Sequence, residues 1–159
     1  MSAEENIEES PEQYFIGKKE DVIQAKRVSK FVNGRDILVI YHEGKFYAMD
    51  AHCYHAGGQL ENGDIEELNN KLCIVCPSHK YKITLAEGEG IYKASNPKEK
   101  NPIPRWFSKG IKQRVHTVLE VGGDIFVKMS EVRGWIESDY YQTEKYRQEK
   151  AMCPPDNES

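Results

Sequence analysis

Residues 51–60 read AHCYHAGGQL and residues 76–81 read CPSHKY. The first stretch packs His52, Cys53 and His55 into four positions and follows them with Gly57-Gly58. It has neither the apolar stripe of a helix nor the alternation of a strand, and the paired glycines mark a sharp turn. Side by side, His, Cys and His build no core. The second stretch sets Cys76 and His79 directly after the β-rich run KLCIVC. The doublets C-x-H and C-x-x-H are separated by 20 residues, with turn chemistry at Asn62-Gly63 and Asn69-Asn70 between them. Each doublet offers one thiolate and one imidazole on a loop at a strand end.

Outward from these loops the chain reads as β-structure. RVSKFV, the turn Asn33-Gly34, DILVIYH, the turn Glu43-Gly44 and KFYAMD predict an antiparallel meander. In KFYAMD, Phe46, Ala48 and Asp50 point one way and Lys45, Tyr47 and Met49 the other. After the second loop comes a Glu/Gly-rich turn at 87–90, then a basic, proline-punctuated stretch NPKEKNPIPRWF. KQRVHTVLEV, Gly122-Gly123 and DIFVKM predict a closing hairpin. From Ser138, SDYYQTEKYRQEKAM has a Ser/Asp N-cap signal and good helix formers, which predicts a short helix. The expected organisation is an acidic disordered tail over 1–12, a β domain over 13–135 with the loop-bearing insertion at about 51–104, and an extension over 136–159 with a frayed end.

Two thiolates and two imidazoles are the donor set of a two-iron cluster in which two His replace two Cys on one iron. The pattern C-Y-H-A-G followed by C-P-S-H resembles the Rieske [2Fe-2S] domain, whose signature is C-x-H-x-G and C-P-x-H. The resemblance covers about residues 14 to 130. It implies an all-β Rieske fold, an antiparallel sandwich or barrel base carrying an inserted subdomain of two ligand loops. It also implies that Cys53 and Cys76 bind one iron of a single [2Fe-2S] cluster and His55 and His79 the other, outer iron. Pro102-Ile103-Pro104 falls where the family has a loop that caps the cluster. A structural zinc site is the rival use of two Cys and two His, although zinc fingers group like ligands together, and a purely structural role for all four is a further alternative.

Other candidates receive no ligand role. Cys73 reads as a small buried hydrophobe, since i and i+3 in a strand face opposite sides and its thiol diverges from that of Cys76. His52 reads as a surface or loop-bonded residue, His42 and His116 as ordinary members of strand-like runs, and Cys153 as an exposed thiol. The run Lys93, Lys98, Lys100, Arg105, Lys109, Lys112, Arg114, opposed by Glu99 alone, is either a solvated face or a docking surface.

Within the resemblance, Gly58 and Ser78 stand where the high-potential type carries a disulfide, and Tyr81 and Ile83 where that type carries cluster-bonding hydroxyls. Fewer hydrogen bonds to the cluster imply a low potential. No histidine follows Met129 to build a mononuclear iron site, and no GxGxxG motif is present. The expected function is therefore a ferredoxin that carries single electrons between a reductase and an acceptor such as an oxygenase, rather than an enzyme. A redox-sensing module is the alternative.

The chain has 159 residues, 38% apolar and 30% charged, with a net charge of −4. That composition suits one soluble domain and gives no case for nucleic acid as partner. No apolar run approaches the roughly 18 residues that span a bilayer. Four cysteines without an export signal suit a reducing compartment, so a cytoplasmic monomer is expected.

Overall fold

The computed structural model describes residues 13–151; the expected acidic tail and frayed end lie outside the described residues. Four hairpins close on turns whose two central residues both have positive φ: Asn33-Gly34, Glu43-Gly44, Asn69-Asn70 and Gly122-Gly123. That backbone twist matches the twist of paired strands, which is why Asn and Gly gather there.

Six strands form the base, in the order β1 (Gln13–Lys18), β11 (Asp124–Lys128), β10 (Val115–Val121), β4 (Lys45–Asp50), β3 (Arg35–His42), β2 (Arg27–Val32). The pairings are antiparallel, and the sheet curls into a nearly closed barrel. A second antiparallel sheet runs β5 (Asp64–Leu68), β6 (Lys71–Val75), β7 (Lys82–Thr84), β8 (Glu89–Ala94), β9 (Arg105–Ile111). The all-β expectation therefore holds.

The run DILVIYH is apolar without alternation because β3 is covered on both faces. Ile37 and Val39 join Ile16, Val22, Ala48, Ile125 and Val127 inside the barrel. Leu38 and Ile40 join Met49, Leu60, Ile74, Ile83 and Leu85 in a second core between the two sheets. Strand β4 divides in the same way, with Ala48 in one core and Met49 in the other, as its alternation requires.

Three elements differ from the sequence reading. A short helix, α1 (Lys19–Ala25), follows β1 and buries Val22; Glu20 and Asp21 lie in its first turn, where the helix dipole favours anions. The basic stretch yields a full strand, β9, which pairs with β8 through Tyr92–Phe107 and Lys93–Trp106. The expected helix after Ser138 is split. A 3₁₀ segment (Glu137–Gln142) stops at Thr143, and α2 (Glu144–Ala151) follows.

This C-terminal segment is fastened by buried charges. Asp50, with no exposed surface, accepts from Arg35 Nη1 at 2.7 Å, His116 Nε2 at 2.9 Å and Ser138 Oγ at 2.6 Å. The Nδ1 of His116 accepts from the Ser130 N–H, so Nε2 is the nitrogen that donates to Asp50. Asp139 receives a two-pronged contact from Arg114, Nε and Nη2 each at 2.8 Å. Burial alone would raise the Asp139 carboxyl; the Arg114 bonds, the Ile136 N–H and the nearby Arg35 outweigh it and hold the carboxyl below the usual range.

Breaking a buried pair from one side costs about 3–5 kcal/mol. Arg114→Met is therefore expected to lower the unfolding free energy by that order in urea titrations. Lys19→Met, which breaks the exposed contact to Glu120, is expected to change it by less than about 1 kcal/mol. A depressed carboxyl stabilises the fold above its unfolded pKa and loses that contribution as pH falls through the folded value. Asp139→Asn should accordingly flatten the loss of stability below about pH 4, read by urea titration at several pH values.

Candidate metal centre

The two predicted loops share one end of the second core and are hydrogen-bonded alike. In the first, the Cys53 N–H donates to Gly58 O and the Gly57 N–H to Cys53 O, each at 2.8 Å. In the second, the Cys76 N–H donates to Tyr81 O and the Lys80 N–H to Cys76 O, also at 2.8 Å. In both, the fifth residue counted from the cysteine has positive φ: Gly57 at 80° and Lys80 at 61°. The loops are near-copies, so each presents its cysteine inward and its histidine outward.

Cys53 and Cys76 are buried in the core between the sheets, and His55 and His79 are exposed. The thiols meet in a hydrogen bond between the two sulfurs. That hydrogen bond, reinforced by burial, pushes Cys53 well above the ordinary thiol range. It pulls Cys76 below the range, against the opposing effect of burial. Backbone N–H groups of His55 and Ala56 turn toward the Cys53 sulfur, and those of Ser78 and His79 toward the Cys76 sulfur. The Ser78 hydroxyl also bonds the Cys76 sulfur. Such donors stabilise negative sulfur.

The imidazoles form a second pair, with ring centroids 4.9 Å apart at 83°. Tyr81 lays its ring on His55 at 3.9 Å, and the Lys109 ammonium lies 4.2 Å from the Tyr81 ring. Among the described residues, no three His, Cys, Asp or Glu side chains converge where one metal ion would bind. The donors come as two pairs. Cys73 is buried, with its thiol pushed up to about 11 by burial. His52 is bonded within the loop, Nδ1 to Gly57 O at 3.1 Å, and its Nε2 reaches Asp36 Oδ2 at 3.2 Å. Pro102-Ile103-Pro104 lies exposed in the β8–β9 connection, and Ile103 keeps 63% of its surface in solvent.

Sequence reading missed the residues that hold the first loop. Gln113 is fully buried at the entry to β10; its Nε2 donates to Asp50 O at 3.0 Å and His52 O at 2.7 Å, and its Oε1 accepts from the Tyr54 N–H at 2.9 Å. It thus pairs with alternate residues of the loop, as a neighbouring strand would. In the string KQRVH nothing distinguishes this Gln from a solvated one. The C-terminal segment covers the same loop: Tyr141 Oη donates to His55 O at 3.0 Å. A Cβ added to Gly57 would lie 2.6 Å from the Tyr146 hydroxyl and 2.8 Å from the Tyr141 ring, so the close approach requires glycine. A Cβ on Gly58 would lie 2.7 Å from Ser78 Oγ, so these two positions face one another across the loops.

Residues 14–132 match the family model described as soluble Rieske-type ferredoxin. A human protein named Rieske domain-containing protein is 46% identical over 132 residues, covering 83% of this chain and 84% of that protein. The ferredoxin component of an alkene monooxygenase system from Xanthobacter autotrophicus is 30% identical over 64 residues, covering 40% of this chain and 50% of that one. The fold is similar to the ferredoxin of carbazole 1,9a-dioxygenase from Nocardioides aromaticivorans, with a TM-score of 0.55 and 19% identity over 74% of this chain and 98% of that one.

Truncating Gln113 leaves two carbonyls and one N–H of the loop without partners. Gln113→Ala is expected to cost about 2–3 kcal/mol in urea titrations. The Tyr54 amide should exchange with deuterium about tenfold faster or more, while amides in the β10–β11 hairpin keep their protection.

Proposed function

The chain belongs to the soluble Rieske-type ferredoxins, and we propose on that premise that it holds one [2Fe-2S] cluster and passes single electrons between a reductase and an acceptor protein. Cys53 and Cys76 would ligate one iron and His55 and His79 the other. The observation that carries this reading is the sorting of the donors: two buried cysteines side by side, next to two exposed imidazoles with ring centroids 4.9 Å apart. Paired donors suit two irons. A single zinc ion wants four donors about one point, and the described residues offer no such convergence even of three.

When bound, such a cluster accepts and returns one electron. The chain's own residues supply the rest. Burial keeps water from the sulfurs, and the four backbone N–H groups aimed at them stabilise the charge that the thiolates carry. Gln113 and Tyr141 fix the backbone beside Cys53 and His55, so the first loop has little to reorganise when charge changes. The exposed His55 and His79 give a partner short access. The Tyr81 ring stacks on His55, and Ser78 is the side-chain hydroxyl donating to Cys76. The Ser78 bond favours the reduced form, whereas position 83 has no hydroxyl to donate and Tyr81 is engaged with the His55 ring. The loss of those two donors supports a potential toward the lower end of the roughly −150 to +300 mV range of such centres.

An alkene monooxygenase system includes a ferredoxin component 30% identical to this chain over 64 residues, which supports an oxygenase as acceptor. The reading places the protein in a reducing compartment such as the cytoplasm, where thiols stay available to ligate iron. Among the described residues no helix is long and apolar enough to cross a membrane.

Anaerobically purified protein is expected to contain two irons and two acid-labile sulfides per chain. It should be silent in electron paramagnetic resonance until dithionite produces a signal of low average g. Cys53→Ser and His79→Ala should each abolish that signal, whereas Cys73→Ser should retain it. One zinc and no sulfide per chain, after iron-replete expression, would defeat the proposal.

A further inference from the structure

We infer that the outward face of the β8–β9 hairpin is the docking surface for an acidic redox protein, an inference that rests on the electron-carrier reading above. Between residues 93 and 109 five cations stand against the single anion Glu99, although the whole chain carries −4. Lys98 and Lys100 crown the exposed connection, Arg105 opens β9 and Lys109 lies further along it. Among the described residues, none of the five cations forms an ion pair. Lys93 and Lys109 lie over aromatic rings, and Lys98, Lys100 and Arg105 present their charge to solvent.

The face also carries apolar anchors. Tyr92 and Phe107 are opposite each other in the β8–β9 ladder, stacked at 5.5 Å, and remain 40% and 45% exposed. Strand alternation sets Arg105, Phe107 and Lys109 on one side of β9 and turns Trp106 to the other, where Lys93 covers its ring. The Tyr92 side is the one that reaches the metal centre. The Lys109 ammonium lies 5.5 Å from the Tyr92 ring and 4.2 Å from the Tyr81 ring, and Tyr81 stacks on His55. A protein seated on Phe107 and Arg105 would therefore abut the exposed imidazoles.

The sign of the partner follows from the sheet's two edges. Strand β9 is the basic edge. Strand β5, at the opposite edge, carries exposed Asp64, Glu66 and Glu67. This asymmetry steers an acidic surface to one side of the centre and repels it from the other, raising the rate of productive encounter. Aromatic residues and Arg at the middle of a charged rim are what a brief, specific contact uses.

The test uses cluster-loaded, reduced full-length protein with two oxidants: the acidic haem protein cytochrome b5 and a small neutral quinone. The wild-type rate with cytochrome b5 should fall about tenfold or more between low salt and about 0.5 M salt. Lys98→Glu/Lys100→Glu/Arg105→Glu should lose about tenfold or more at low salt, and Lys45→Glu, at the far end of β4, little. The quinone rates should match throughout. Absence of the reduction-dependent resonance signal defeats the electron-carrier reading before any rate is compared. With the signal present, a triple variant as fast as wild type toward cytochrome b5 overturns the docking surface. So does wild-type self-association, or binding of a short oligonucleotide in preference to cytochrome b5, that the triple variant loses.

Discussion

Asp50 carries a charge with no exposed surface, and much of the structure is arranged so that it can. Its oxygens take hydrogen bonds from β3 through Arg35, from β10 through His116 and from the C-terminal segment through Ser138. A lone buried carboxylate would be untenable, so these elements are bound to one another by the need to satisfy it. The network continues through Arg35 to Asp139 and from there to Arg114, which also caps the carbonyls of Val132 and Gly134. Segments more than 80 residues apart in sequence thus meet at the last residue of β4, where the barrel hands the chain to the Cys53–His55 loop.

That position makes the junction a foundation for the site. The carbonyl of Asp50 is also the first of three backbone groups held by Gln113, so the network and the loop share an anchor. On the other side of the loop, Gln142 pairs its amide with both backbone groups of Asp36, and Tyr141 reaches His55 O. A loop fixed from both sides can keep its cysteine against the core while leaving its histidine in solvent. This separation of buried sulfur from exposed imidazole is what an electron carrier needs: a protected centre with one open edge.

The two cores explain how so small a barrel supports a rigid rim. Because β3 and β4 are buried on both faces, they act as a common wall, and any shift in that wall is opposed by packing on each side. The second core contains Cys53 and Cys76 themselves, so the thiols belong to the hydrophobic interior rather than to appended loops. The charged edges of the second sheet lie away from this wall and remain free to meet a partner.

The sequence by itself determined whatever rests on local chemistry. Positive-φ turns need Asn or Gly, so the hairpins at Asn33-Gly34 and Gly122-Gly123 were legible, and the C-x-H and C-P-x-H doublets marked both loops. Helix α1 was not legible, because seven residues with one buried Val carry too weak a period. Strand β9 was hidden by the prolines before it and by a face that stays exposed. Tertiary structure alone decided that His116 is a buried partner of Asp50, that Gln113 braces the first loop, and that the C-terminal segment covers that loop. Each of those contacts joins residues 59 to 106 positions apart. A polar side chain looks the same in a sequence whether water or a distant backbone satisfies it, and only burial in the folded chain makes that choice.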